Sequence, residues 1–324
     1  MPLLTHPFAR RALRPFAALV DQRVRTHTSR TRGEVAALRA ELDVLKKQSH
    51  AVEMLLDRTG RGAHRMPSAG QISTLVAQVA EVSGSAHARR AVTSAFRTVV
   101  ALEALGVGRL AGGTSNVCGK LATLPLLAPP AHPDVLEIGT LHGLFATALT
   151  RMLHREGIEP RLTIVDPLVG AQLQPDAVRD SADPTGTPVR EDVVRANLAL
   201  AGTAPGGASG TRIQQGFSQD PEVREAVSDR KYGVIVIDGD HSREGVLADL
   251  RWAEEIVAEG GIVVLDDFGD TAWPGVQEAW EEHLADAGAG ADAGAGAGAG
   301  GAEGTGSRLT FLGQVATSGF LRKG

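Results

Sequence analysis

Two short apolar runs, each breaking into carboxylates, constrain this chain more than anything else in it. Val234, Ile235, Val236 and Ile237 lead into Asp238-Gly239-Asp240-His241, and Ile262, Val263, Val264 and Leu265 lead into Asp266-Asp267. Neither run alternates apolar with polar residues, so both predict strands buried on both faces of a parallel sheet. Between them Val246, Leu250, Ala253 and Val257 recur at helical spacing, and Gly260-Gly261 predicts the stop. A right-handed crossover makes the two strands parallel. Asp238, Asp266 and Asp267 then emerge together at the C-terminal edge, where open α/β sheets bind ligands.

The rest of the chain divides into three stretches. Residues 1–65 read as a basic helical arm, 66–115 as a helical accessory region, and 116–324 as the α/β domain. In the arm, residues 1–30 read as poorly structured or irregularly helical. From Gly33 onward Val35, Leu38, Leu42, Leu45, Val52 and Leu56 approximate a heptad seam, broken by Ser49. That seam is either a homo-oligomer contact or a helix packed on its own domain. Residues 60–67 read as a linker. The chain's net charge of −5 is uneven, with roughly +7 in the arm and about −12 beyond it. No aromatic–basic interleaving accompanies the positive charge, so no nucleic-acid partner is expected. One cysteine, Cys118, excludes a disulfide framework. The absence of an apolar run of about 18 residues predicts no membrane span, and the expected location is the cytoplasm.

Two core-facing helical stripes follow, through Ile72, Leu75, Val76, Val79 and Val82 and through Val92, Ala95, Phe96, Val99 and Val100. A short helix over 118–127 leads to a strand over 135–138, a glycine-containing turn and a helix to about Arg155. Strands are predicted at 162–165 and, more weakly, 212–217. A disordered Gly-Ala insertion at about 287–306 precedes a closing hairpin, 309–315 with 317–321.

The motif Glu137-x-Gly139-Thr140-x-x-Gly143 lies between a strand and a helix, where glycines admit a ligand close to the backbone and the helix start offers free N–H groups. It departs from the dinucleotide pattern G-x-G-x-x-G. With Asp166 at the end of the next strand, it resembles the S-adenosylmethionine loop of class I methyltransferases. Asn116-Val117-Cys118-Gly119-Lys120-Leu121 and Gly216-Phe217-Ser218-Gln219-Asp220 are similar to segments of catechol O-methyltransferase and its relatives. Asp238-Gly239-Asp240-His241, Asp266-Asp267 and Trp273-Pro274-Gly275-Val276 resemble the bacterial macrocin and mycinamicin sugar O-methyltransferases more closely still. The resemblance covers residues 114–286 and the last hairpin.

That resemblance implies a doubly wound, Rossmann-like sheet with a C-terminal antiparallel hairpin. It implies S-adenosylmethionine held by Asn116, Gly119, Glu137, Gly139, Thr140, Gly143, Asp166, Ser218, Gln219 and Asp238. It further implies Mg²⁺, with Mn²⁺ able to serve instead, on Asp238, Asp266 and Asp267, and His241 as the proton acceptor. Independently, three crowded carboxylates raise one another's pKa unless a cation joins them, and oxygen ligands favour a hard ion. The expected reaction is methyl transfer to a hydroxyl of a sugar or natural-product diol, a small molecule or a glycan, whose paired oxygens would chelate the ion. Two departures stand out: Asp266 is shorter than the Glu of some relatives, and Leu144-Phe145 replaces their Gly-Ser or Tyr-Ser. A metal-independent methyltransferase and an inactive scaffold assembled by the coiled coil are the rival readings.

Overall fold

The computed structural model describes residues 7–48, 67–169, 187–202, 210–294 and 309–324. The chain forms two compact units, Met1–Ser49 and His50–Gly324. In the first, helix α1 runs from Pro7 to Gln48, so of the two forms expected for residues 1–30, poorly structured or irregularly helical, the chain is helical from residue 7. A proline at the first helical position explains the early start, because it lacks only an N–H that would go unpaired there anyway. Arg25 with Asp21 and Arg30 with Glu34 add exposed i,i+4 pairs. Val35, Leu38 and Leu42 of the expected seam are exposed. Val52, Leu56 and most of the 60–67 linker lie outside the described residues.

In the second unit a seven-stranded sheet has the order β3-β2-β1-β4-β5-β7-β6. The strands are β1 Asp134–Ile138, β2 Arg161–Asp166, β3 Arg212–Gln215, β4 Tyr232–Ile237, β5 Val257–Leu265, β6 Leu309–Val315 and β7 Ser318–Lys323. The first five are parallel, and β7 closes antiparallel on both β5 and β6. The helices are α2 Ala69–Ser83, α3 Ala88–Leu105, α4 Thr114–Leu127, α5 Leu144–Arg155, α6 Glu191–Leu198, α7 Pro221–Val227, α8 Arg243–Ile256 and α9 Pro274–Gly294.

Alternate residues of each central strand serve opposite faces, as the two-residue period of a strand requires. Val234, Val236, Ile262 and Val264 join one core with Leu102, Leu121, Leu124 and Leu149 from α3, α4 and α5. Ile235, Ile237, Val263 and Leu265 join the other with Leu250, Ala253 and Trp280 from α8 and α9. This two-sided burial is why neither run alternates. The accessory helices α2 and α3 belong to the first core, so they are a layer of this unit rather than an appendage.

Two local expectations change. Helix α8 stops at Ile256 and β5 already begins at Val257, so Gly260-Gly261 lie within a strand rather than ending the helix. Gly260 has φ +71°, and the β4–β5 register shifts between Tyr232 and Val234, which makes the pair an irregularity of the strand. The Gly-Ala tract also contributes to structure, since α9 continues to Gly294. Its alanines are the strongest helix formers and extend a helix already nucleated at Pro274. The remainder of the tract lies outside the described residues.

Candidate active site

The strand order reverses between β1 and β4: the chain builds outward from β1 through β2 to β3, then returns to place β4 on the other side. A crevice opens at such a switch point. The strand ladder runs slightly past the strand ends, with Asp238 N donating to Ile138 O at 2.9 Å and Asp266 N to Ile237 O at 3.0 Å. The carboxylates that follow β4 and β5 are thus set by the sheet itself. Beyond the strand ends the backbone is strained. Among the described residues, Leu141 (φ 54°), Leu168 (φ 49°) and Asp267 (φ 54°) follow β1, β2 and β5 in the left-handed region. Non-glycine residues hold that conformation only where their surroundings impose it.

On one side of the crevice lies the 139–143 loop. Asp166, 3% exposed, accepts from Thr140 N at 2.7 Å and Leu141 N at 3.2 Å through Oδ2, and from Leu168 N at 2.8 Å through Oδ1. Three of a carboxylate's roughly four acceptor positions are therefore used in shaping two loops, leaving one for a ligand. Gly143 caps α5 in the left-handed conformation at φ 74°. Asn197 ties down the outside, accepting from Val107 N and donating to Val107 O and His142 O. Glu137 is 2% exposed and accepts a hydrogen bond from the Thr140 hydroxyl.

On the other side is a cluster of charge. Lys120, on α4, places Nζ 2.6 Å from Asp266 Oδ2 and 3.0 Å from Asp238 Oδ2. The Phe145 ring lies over the same ammonium, 4.7 Å from its centroid. Asn116, one turn earlier on α4, donates to Asp266 Oδ1 at 2.9 Å, to Asp267 Oδ1 at 3.4 Å and to the Thr317 hydroxyl at 2.6 Å. His241 Nε2 lies 3.2 Å from Asp267 Oδ2 and 3.7 Å from Asp238 Oδ1, and its ring packs on Trp273 with centroids 4.9 Å apart. Burial alone would push the Lys120 ammonium down, but Asp238 and Asp266 more than offset it and hold it above its usual range. The two acids divide. Burial and the neighbouring Asp266 push Asp238 well up. Asp266 is held at about 2, its burial outweighed by Lys120 and by its hydrogen bonds.

As arranged, these residues do not fit a divalent ion between Asp238 and Asp266. The two oxygens that would bind it already hold an ammonium whose side chain is 2% exposed. An ion taking them would strand that ammonium in the interior, and breaking a buried pair this way costs about 3–5 kcal/mol. Asp267, the third expected ligand, is engaged with His241 and Asn116. Among the described residues no three acid, histidine or cysteine side chains are grouped as a metal site.

The structure therefore brings Asn116, Asp238, His241, Asp266 and Asp267 into one cluster, with Glu137, Gly139, Thr140, Gly143 and Asp166 across the crevice. Three expected contacts lie differently. Gly119 faces the C-terminal hairpin, where an added Cβ would meet Val315 at 2.9 Å, so its smallness serves packing. The Ser218 hydroxyl donates to buried Asp249 at 3.0 Å. Gln219 is exposed. Lys120 is not among the residues the resemblance assigns, although the sequence carries a signal for it: a lysine amid Val117, Cys118, Leu121 and Ala122 needs a buried counter-charge.

Glu137 gives a test of this buried charge. Burial raises its carboxyl to about 8 from an ordinary 4.5, partly offset by Thr140 and Lys120. The folded protein thus holds this proton more tightly than the unfolded chain does. The stabilisation is fully present below 4.5 and is lost as pH rises toward 8. Glu137→Gln, which keeps an acceptor for Thr140, is expected to raise the melting temperature at pH 9 and to change it little at pH 4.5. An equal shift at both pH values in thermal melts would assign the effect to packing instead.

Comparison with known proteins gives the following. Residues 136–268 match the family model of a methyltransferase domain. No curated protein sequence matches the chain. Among solved structures, the O-methyltransferase NovP is 17% identical, covering 78% of this chain and 96% of its own at a TM-score of 0.44. The O-methyltransferase from Bacillus cereus, in complex with SAH, is 14% identical, covering 79% and 91% at 0.38. MycE methyltransferase from the mycinamycin biosynthetic pathway, in complex with Mg and SAH, is 16% identical, covering 60% and 45% at 0.36. None is similar enough to transfer a ligand or a substrate.

Proposed function

We propose that this chain, whose residues 136–268 match the model of a methyltransferase domain, transfers a methyl group from S-adenosylmethionine to a hydroxyl oxygen of a small molecule, a sugar or related natural product. The observation that carries the reading is the pairing, across the β1/β4 switch point, of a backbone loop held open by Asp166 with a cluster containing His241. The loop and the start of α5 form the donor side. The N–H groups at the start of α5 and the one remaining acceptor position of Asp166 take the polar parts of the donor. Buried Glu137 lies beneath the loop, where its carboxyl can receive the donor's ammonium group.

The acceptor hydroxyl enters on the side of Asp267 and His241, whose side chains are 20% and 9% exposed. His241 takes its proton, and Asp267, beside Nε2, stabilises the imidazolium that forms. The acceptor oxygen then attacks the methyl carbon in line. The carbon–sulfur bond breaks, and its electron pair stays on sulfur as the sulfonium becomes a neutral thioether. Holding donor and acceptor across one crevice supplies much of the rate. The magnesium ion expected from the sequence takes no step in this reading, because Lys120 already bridges two of its ligands.

Calorimetric titration with S-adenosylhomocysteine tests the donor side, and mass spectrometry of a hydroxylated-acceptor panel, seeking the gain of one methyl, tests the reaction. Binding at micromolar concentration with methylated product is the expected outcome. Failure to bind S-adenosylhomocysteine would overturn the reading.

A further inference from the structure

We propose that Lys120 is a built-in counter-cation, standing between Asp238 and Asp266 in the position the sequence pattern assigns to a divalent ion, so that the chain needs no metal. This rests on the methyltransferase reading above and specifies how its acid cluster is neutralised.

Two separate contacts support the assignment. The ammonium bridges one oxygen from each strand end, at 3.0 Å and 2.6 Å. The ring of Phe145, from the first turn of α5, covers it at 4.7 Å. A lysine merely paired with a nearby acid would keep part of its stem in water, whereas this side chain is 2% exposed. Asn116 fills the other oxygen of Asp266 from the same helix. Helix α4 therefore brings both a cation and a hydrogen-bond donor to the end of β5. A buried ammonium does what an ion does for the carboxylates, which is to let them sit together. It does not chelate the acceptor. The acceptor then needs only one hydroxyl, presented to His241, rather than a chelating pair of oxygens.

Manganese serves as the probe because it binds where magnesium would and is read directly by electron paramagnetic resonance. Full-length protein is stripped with EDTA, and S-adenosylhomocysteine binding is measured first. Retained binding establishes the donor site whatever the metal result; its loss would count against the methyltransferase reading itself. Manganese titration of the wild-type chain is expected to show only weak binding, in the millimolar range or above. Lys120→Gln is expected to gain one manganese per chain with roughly tenfold or greater tightening, which a purely structural lysine would not produce. Stoichiometric micromolar binding by the wild-type chain would overturn the proposal, as would a folded Lys120→Gln that gains no site. Should Lys120→Gln fail to fold by circular dichroism, the wild-type titration decides alone.

Discussion

Replacing His241 with alanine is expected to lower turnover by about two to four orders of magnitude, the usual contribution of a positioned general base. Affinity for S-adenosylhomocysteine should change little. The separation follows from where the side chain sits. His241 leaves the chain three residues past Asp238 and faces the acids of β4 and β5, with Nε2 3.2 Å from Asp267 Oδ2. The donor loop lies on the other side of the switch point, at the end of β1. The residue is also held in place. Trp273 lies against it at 4.9 Å, and the chain at Gly275 passes so close that a Cβ there would fall 2.8 Å from the His241 carbonyl oxygen. Pre-set orientation of this kind is what a base needs, and removing the ring leaves the orienting residues in place. Steady-state kinetics with calorimetry read the two quantities separately. Matching losses in turnover and cofactor affinity, with a lower melting temperature, would mean that the histidine holds the site together without taking part in the chemistry.

The strand ends were legible because burial leaves a direct mark on sequence. Runs such as 234–237 can be apolar at every position only if both faces are covered, and the two cores on either side of the sheet bear this out. The parallel arrangement of β4 and β5 followed from the intervening helix, and with it the meeting of Asp238 with Asp266 and Asp267. What could not be read was how those acids are neutralised. Lys120 precedes them by 118 residues or more in sequence, and no local pattern announces a partner at that separation. Phe145 is a comparable case. It is an odd residue for the first turn of a helix beside a strand-end loop until the ammonium beneath it is seen. The place of Asp166 after β2 was legible, but not that its oxygens are mostly used by its neighbours' N–H groups. The end of α8 and the reach of α9 were misjudged for a different reason. Glycine pairs and Gly-Ala tracts carry weak local preferences, which a neighbouring strand or an already nucleated helix overrides.

Gly139→Ala is expected to destabilise the folded unit by about 3 kcal/mol or more and to lower S-adenosylhomocysteine affinity at least about a hundredfold. Two costs combine at this position. The backbone has φ +84°, which an alanine adopts at roughly 1–2 kcal/mol. The larger cost is contact: the added Cβ would lie 2.2 Å from the Asp238 carbonyl oxygen and 2.8 Å from the Gly239 Cα. Neither is a flexible side chain that can swing away. Both are backbone atoms held by Asp238 N donating to Ile138 O, the carbonyl just before Gly139 itself. Relief therefore requires the ends of β1 and β4 to separate, which moves the donor loop and the acid cluster apart. Gly84→Ala isolates the conformational part, since Gly84 has φ +64° with nothing within 4 Å of an added Cβ. It is expected to cost only about 1 kcal/mol and to leave cofactor binding unchanged. The difference between the two variants, read from denaturant unfolding and calorimetry, measures how tightly the two halves of the sheet are pressed together where the donor and acceptor sides meet. Equal effects from both substitutions would show that the strand ends can move apart freely, and that the close approach of β1 to β4 is not what holds the two sides in register.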